Sequence, residues 1–174
     1  MKNSSKSGFS LIETIIAIAI LVMVITGPLA LSSQSLKAAS AAKNNFIVAN
    51  LAQEGIELIR LYRTNNVLQG RSSWLSDLSA VCQTTNCYVD AKNFYGDNSN
   101  FILTQCGGAC PVLKIDANGF YNYTVGTNTI FTRTIRLTSI SADIERIKVT
   151  ITWNSNTGGQ SLVVEEIMHN WLTL

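Results

Sequence analysis

The sequence predicts an α+β fold, a long N-terminal helix packed on a C-terminal antiparallel β-sheet, and three features carry the prediction. Residues 9–31 form an apolar run in which Glu13 is the one charge. Residues 48–62 repeat apolar side chains at steps of three and four. Beyond residue 111 the period changes to two. In chain order the expectation is a leader at 1–8, a transmembrane or assembly helix at 9–31 and an amphipathic helix at 32–65 that continues into the globular domain. An irregular cysteine-containing region at 66–111 and the sheet at 112–174 follow. A chain of 174 residues suits one modest globular domain plus a separate N-terminal element, since domains commonly hold ~100–150 residues. A net charge of +2 with 14% charged residues provides no extended basic surface for nucleic acid and no acidic tail.

As a helix rising ~1.5 Å per residue, the apolar run is long enough to cover the ~30 Å hydrocarbon layer of a bilayer. A secretory signal peptide would have a shorter apolar stretch and a small-residue cleavage site after it. A plain uncleaved anchor would hold its leader in the cytoplasm through Lys2 and Lys6. Both readings account for the lysines, and neither accounts for Glu13. An ionised carboxylate in hydrocarbon costs several kcal/mol on most scales, so an acid at such depth is by default a functional group.

The short basic leader, Gly8 followed by Phe9, the stretch Ser10-Leu11-Ile12-Glu13 and the apolar run occur in an order that resembles the N-terminal signal of type IV prepilins and type II secretion pseudopilins. The resemblance implies cleavage between Gly8 and Phe9 by a prepilin peptidase and N-methylation of Phe9. It implies insertion in the cytoplasmic membrane with the N-terminus inside, then assembly with other pilin or pseudopilin subunits into an extracytoplasmic filament. An inner-membrane platform protein and an assembly ATPase are the indirect partners it implies. Glu13 becomes the fifth residue of the processed chain and the assembly residue, its carboxylate pairing with the new α-amine of a neighbouring subunit. Pairing offsets the burial cost only when the register is right. The stretch Leu51-Ala52-Gln53-Glu54-Gly55-Ile56-Glu57 also resembles minor pilins of the pilus-modification type. The competing class is a non-polymerising, membrane-anchored extracytoplasmic binding protein or adhesin that uses its cysteine-containing loops.

Gly27-Pro28 is expected to bend or locally melt the first helix, because proline lacks the backbone donor and clashes with the preceding turn. The small-residue stretch at 35–42 permits close helix approach and equally suits an ordinary alanine-rich helix. Val48, Ala52, Ile56, Ile59 and Tyr62 form an apolar stripe opposite Asn50, Gln53, Glu57, Arg60 and Thr64, so this half should cover a sheet. Gly55 in the stripe lowers helix propensity by ~1 kcal/mol relative to alanine and reads as a close-packing point. Thr64-Asn65-Asn66 is the expected helix end.

The region to Pro111 contains Cys82, Cys87, Cys106 and Cys110. Four cysteines allow three complete pairings, and sequence alone does not choose among them. An exported domain makes disulfides the first expectation, with two local loops, Cys82–Cys87 and Cys106–Cys110, preferred. A four-thiolate zinc site is the alternative, disfavoured by spacings outside C-x₂-C.

Alternation in Phe131-Thr132-Arg133-Thr134-Ile135-Arg136-Leu137 and across Ile147, Val149, Ile151 and Trp153 predicts half-buried strands. Asn118-Gly119 should turn the chain between strands at 112–116 and 120–125, and Gly158-Gly159 should precede a strand at 161–171. A four- or five-stranded meander is the expected sheet.

The sequence contains no G-x-S-x-G nucleophile elbow, H-E-x-x-H zinc helix or G-x-x-x-x-G-K-[ST] phosphate loop, so neither an enzyme activity nor a cofactor is expected. His169 is expected as a packing or edge residue of the terminal strand. Asp116-Ala117-Asn118-Gly119 reads as a turn rather than a calcium loop, lacking the remaining acidic ligands. Asn122-Tyr123-Thr124 is a glycosylation sequon by pattern. Trp74, Trp153 and Trp171 are core or rim candidates.

Overall fold

The first element is one α-helix, α1, at Leu11–Leu68. The computed structural model describes residues 8–71, 73–75, 78, 82–93, 103–155 and 158–170, divided between two compact units, Met1–Asn45 and Phe46–Leu174. Along 8–43 every residue is exposed. The helix is continuous through Gly27 and Pro28, so the melted alternative does not occur there. Pro28 withholds the donor that the Val24 carbonyl would otherwise receive, and a bend at this point remains a proposal.

Helix α1 ends at Leu68 rather than at 64–66. The reason is Gly70, whose positive φ of 63° lets the chain close a Schellman cap. The Gly70 N–H donates to the Val67 carbonyl at 3.0 Å and the Arg71 N–H to the Asn66 carbonyl at 3.1 Å. Asn66 thus stays helical, turns inward and donates from its side chain to the Trp74 carbonyl at 3.3 Å.

The second unit is built on a seven-stranded sheet: β1 Cys87–Tyr88, β2 Thr104–Gln105, β3 Val112–Ile115, β4 Tyr121–Asn122, β5 Thr127–Ser141, β6 Ile144–Ser155 and β7 Gly158–His169. A short 3₁₀ turn at Ala91–Asn93 follows β1. The meander expectation holds for β5, β6 and β7, which pair antiparallel in sequence order. It fails at the other edge. The 15-residue β5 is flanked there by both β3 and β1, with β4 outside β3 and β2 outside β1. Ile115 lies between Tyr121 of β4 and Thr127 of β5, so the segment joining these two strands must pass β3. Gly126 makes the passage possible, with φ at 109° and a position where a Cβ would collide with the Ile115 carbonyl. Only Tyr121 and Asn122 of the expected 120–125 strand are extended. The region expected to be irregular supplies the two short strands β1 and β2.

The core lies between the second half of α1 and one face of β5 and β6. Val48, Ala52, Ile56, Ile59 and Tyr62 are buried against a core that includes Phe131, Ile135, Leu137, Ile147, Val149 and Ile151. Burying each such aliphatic side chain is worth about 1.5–3 kcal/mol relative to exposure. Gly55 is the point of closest approach: a Cβ there would lie 3.1 Å from Val149 Cγ1 and 3.3 Å from Arg133 Cδ.

Candidate processing and assembly segment

Gly8 has open space where a Cβ would project, and Phe9 is 82% exposed. The helix begins immediately after them. The Thr14 N–H donates to the Ser10 carbonyl at 3.2 Å, which makes Ser10 the N-cap. The Thr14 hydroxyl tightens the turn by donating to the Leu11 carbonyl at 2.7 Å. Glu13 therefore occupies the third helical position, in the first turn, where the helix dipole favours a negative charge. Ser10 and Glu13 have the S-x-x-E spacing of a capping box, a local signal already present in the sequence. Beyond them, helix α1 contains a window long and apolar enough to cross a membrane, none of it buried within the protein.

An exposed glycine, an aromatic residue, a first-turn acid and an exposed apolar stretch of helix thus follow one another without interruption. The prokaryotic N-terminal methylation motif matches residues 3–27. The chain carries a prepilin-type signal. This signal is that of type IV pilins and pseudopilins, and the long helix with a C-terminal antiparallel sheet is a pilin-like layout. No curated protein and no solved structure matches the chain.

Downstream of the prepilin-type signal, the sheet unit is fastened to α1 by two ionic clamps. Arg133 interrupts the apolar alternation of β5 yet keeps its inward register, and it is fully buried. Its Nη1 donates to Glu54 Oε2 at 2.8 Å and to the Leu51 carbonyl at 3.3 Å, and its Nη2 to the Val89 carbonyl at 2.8 Å. One cation therefore joins α1, β5 and the segment after β1. Gly55 leaves the space through which its stem passes. Farther along α1, Arg60 makes a bidentate pair with Glu166 of β7, both bonds at 2.7 Å, and also holds Glu57 at 2.6 Å.

Cys82 is bonded to Cys87 and Cys106 to Cys110, so these four residues offer no thiolate to zinc. Cys82 and Cys87 are fully buried, and the Cys106 N–H donates to the Asn86 carbonyl at 2.8 Å, bringing the second loop beside the first. His169 is exposed at the end of β7, where its carbonyl accepts from Arg63 at 3.3 Å. Trp74 is buried and donates to the Ala142 carbonyl at 3.3 Å; Trp153 packs partly buried against the core; Trp171 lies outside the described residues, as do Lys2 and Lys6.

Asp116 closes the expected turn. Its Oδ1 accepts the N–H groups of Asn118 at 2.9 Å and Phe120 at 3.0 Å, and its Oδ2 meets Lys92 at 3.6 Å. The Phe120 N–H is the main reason its carboxyl lies below the usual carboxylate range. The asparagine of the sequon pattern is buried. Asn122 is 1% exposed; its Oδ1 accepts from the N–H groups of Thr124 and Val125, and its Nδ2 donates to the Phe120 carbonyl. The buried amide holds the turn after β4.

Proposed function

We propose that the chain is a structural subunit, a minor pilin or pseudopilin, of a type IV pilus or type II secretion-like filament. It is inserted through residues 9–31 in the cytoplasmic membrane, cut between Gly8 and Phe9 by prepilin peptidase, N-methylated at Phe9 and polymerised through its N-terminal helix. The observation that carries the reading is a spanning-length apolar stretch at the start of α1, none of it buried, that coincides with the prepilin-type signal and has one acid in its first turn. Leaving the bilayer is tolerable because the same apolar surface is reburied among neighbouring helices. A head-to-tail contact whose rotation does not close builds an open helical polymer. Gly27 and Pro28 give the helix a place to bend as it packs.

Glu13 sets the register in this scheme, meeting a neighbour's α-amine once cleavage has exposed it. Mass spectrometry of the mature N-terminus is the direct test. A chain beginning at a methylated Phe9 supports the reading, and one that functions with its first eight residues intact overturns it in favour of an anchored adhesin. Glu13→Gln separates charge from capping, because glutamine keeps the capping-box spacing and loses the anion. Both Glu13→Gln and Glu13→Ala should be cleaved normally and enter filaments poorly. Normal incorporation of the glutamine variant would reduce Glu13 to a helix cap.

A further inference from the structure

The sheet unit contains a cavity that the filament reading does not use. It has a volume of about 580 Å³ and opens between the Glu54 turn of α1, the 3₁₀ turn carrying Lys92, and the β3–β4 hairpin with Asp116, Asn118, Phe120 and Tyr121. A second recess of about 280 Å³ shares Glu54, Phe120 and Tyr121 as walls. The larger volume falls in the range of about 300–1,000 Å³ typical of small-molecule sites.

The lining combines an aromatic platform with polar groups left partly unused. Phe120 is 69% exposed at the tip of the β3–β4 hairpin, next to the exposed Ala117, Asn118 and Gly119, so its ring is open to solvent. Glu54 gives only Oε2 to Arg133; its Oε1, the Asn118 side-chain amide and the Tyr121 hydroxyl have no hydrogen-bond partner among the described residues. These groups include both acceptors and donors. Charge narrows the ligand further. Glu54 is balanced by Arg133 at 2.8 Å and Asp116 by Lys92 at 3.6 Å, so these formal charges cancel in pairs and leave the cavity lining no excess charge of its own to recruit an ion. A ligand that matches this wall is uncharged, has an apolar face to lie on Phe120 and has several hydroxyls that donate and accept. A neutral saccharide has all three properties.

We propose that this cavity binds a neutral saccharide, stacked on Phe120 and hydrogen-bonded by Glu54 Oε1, Asn118 and Lys92. The proposal does not depend on polymerisation, because every residue involved belongs to one chain.

The test uses the full-length chain in phosphatidylcholine nanodiscs, with lactose, maltose and chitobiose as probes and sialyllactose as the charged comparison. Saturation-transfer NMR should show at least one neutral disaccharide binding with a Kd on the order of 1 mM. Phe120→Ala, which removes an exposed side chain, should weaken that binding by roughly tenfold. Lys92→Met should weaken it as well, and the tryptophan fluorescence of both variants should match the parent. Three results would overturn the proposal: no neutral probe bound at about 20 mM, tighter binding of sialyllactose than of lactose, or saccharide binding indifferent to Phe120→Ala. The last result, joined to a loss of filament assembly in that variant, would identify the cavity wall as a subunit contact.

Discussion

Replacing Arg133 by methionine tests whether the buried cation holds α1 to the sheet. The substitution removes three hydrogen bonds, to Glu54, the Leu51 carbonyl and the Val89 carbonyl. Their losses are unequal. The Leu51 carbonyl lies inside α1 and keeps its helical donor, whereas the Val89 carbonyl loses the Arg133 bond. An orphaned buried acceptor costs about 1–3 kcal/mol. Breaking a buried ion pair commonly costs about 3–5 kcal/mol, but Glu54 is 34% exposed and can recover water when its partner is gone. The Arg133 Nε has no partner among the described residues, so its removal is favourable, and methionine restores much of the apolar volume. The net expectation is a loss of about 2–3 kcal/mol. Denaturant unfolding of the full-length chain in nanodiscs, followed through Trp74 and Trp153, measures it. A double-mutant cycle with Glu54→Gln should return a coupling of about 1–2 kcal/mol, since the second change has little left to break. An Arg133→Met protein as stable as the parent, or additivity within about 0.5 kcal/mol, would refute the clamp.

Three further outcomes follow from the packing. Gly55→Leu should destabilise the sheet unit by about 3 kcal/mol in the same assay, because Val149 and Arg133 already crowd the position of a Cβ. Glu145 is buried, its Oε1 has no partner among the described residues, and desolvation raises its pKa against the weaker opposing effects of Gln83 and Ser139. Its contribution is therefore fully present below the ordinary glutamate pKa and is lost as pH rises through the higher folded value. Glu145→Gln should raise the unfolding midpoint at neutral pH and flatten the pH dependence, the two proteins converging in acid. Removing either disulfide loop should cost about 2 kcal/mol from chain entropy, and Cys82→Ala/Cys87→Ala should cost more than Cys106→Ala/Cys110→Ala, because both residues of the first pair are fully buried.

The long periodic elements were legible because their side chains report a buried face at every turn or pleat. The stripe from Val48 to Tyr62 and the alternation around Ile135 and Val149 therefore fell on the core that forms. Strands of two residues, such as β1 and β4, show no period and are set by tertiary contacts, so the order of the sheet could not be read. The helix end was misplaced because Thr64, Asn65 and Asn66 have weak intrinsic helix preference, while Gly70 supplied the geometry that stopped the chain. The sequon at Asn122 is a pattern blind to burial. Arg133 was visible only as a gap in an apolar series; its role depends on Glu54, Gly55 and Val89, which are distant in sequence. The N-terminal segment needed no tertiary information, since each of its signals is local.

The spacing of the two clamps on α1 has a mechanical consequence. Glu54 and Arg60 are six residues apart, about 9 Å along the helix, and they attach to different strands, β5 and β7. Tension drawn along this part of the helix would be shared between two attachments. A rupture force exceeding that of either clamp alone is then expected without any additional contact.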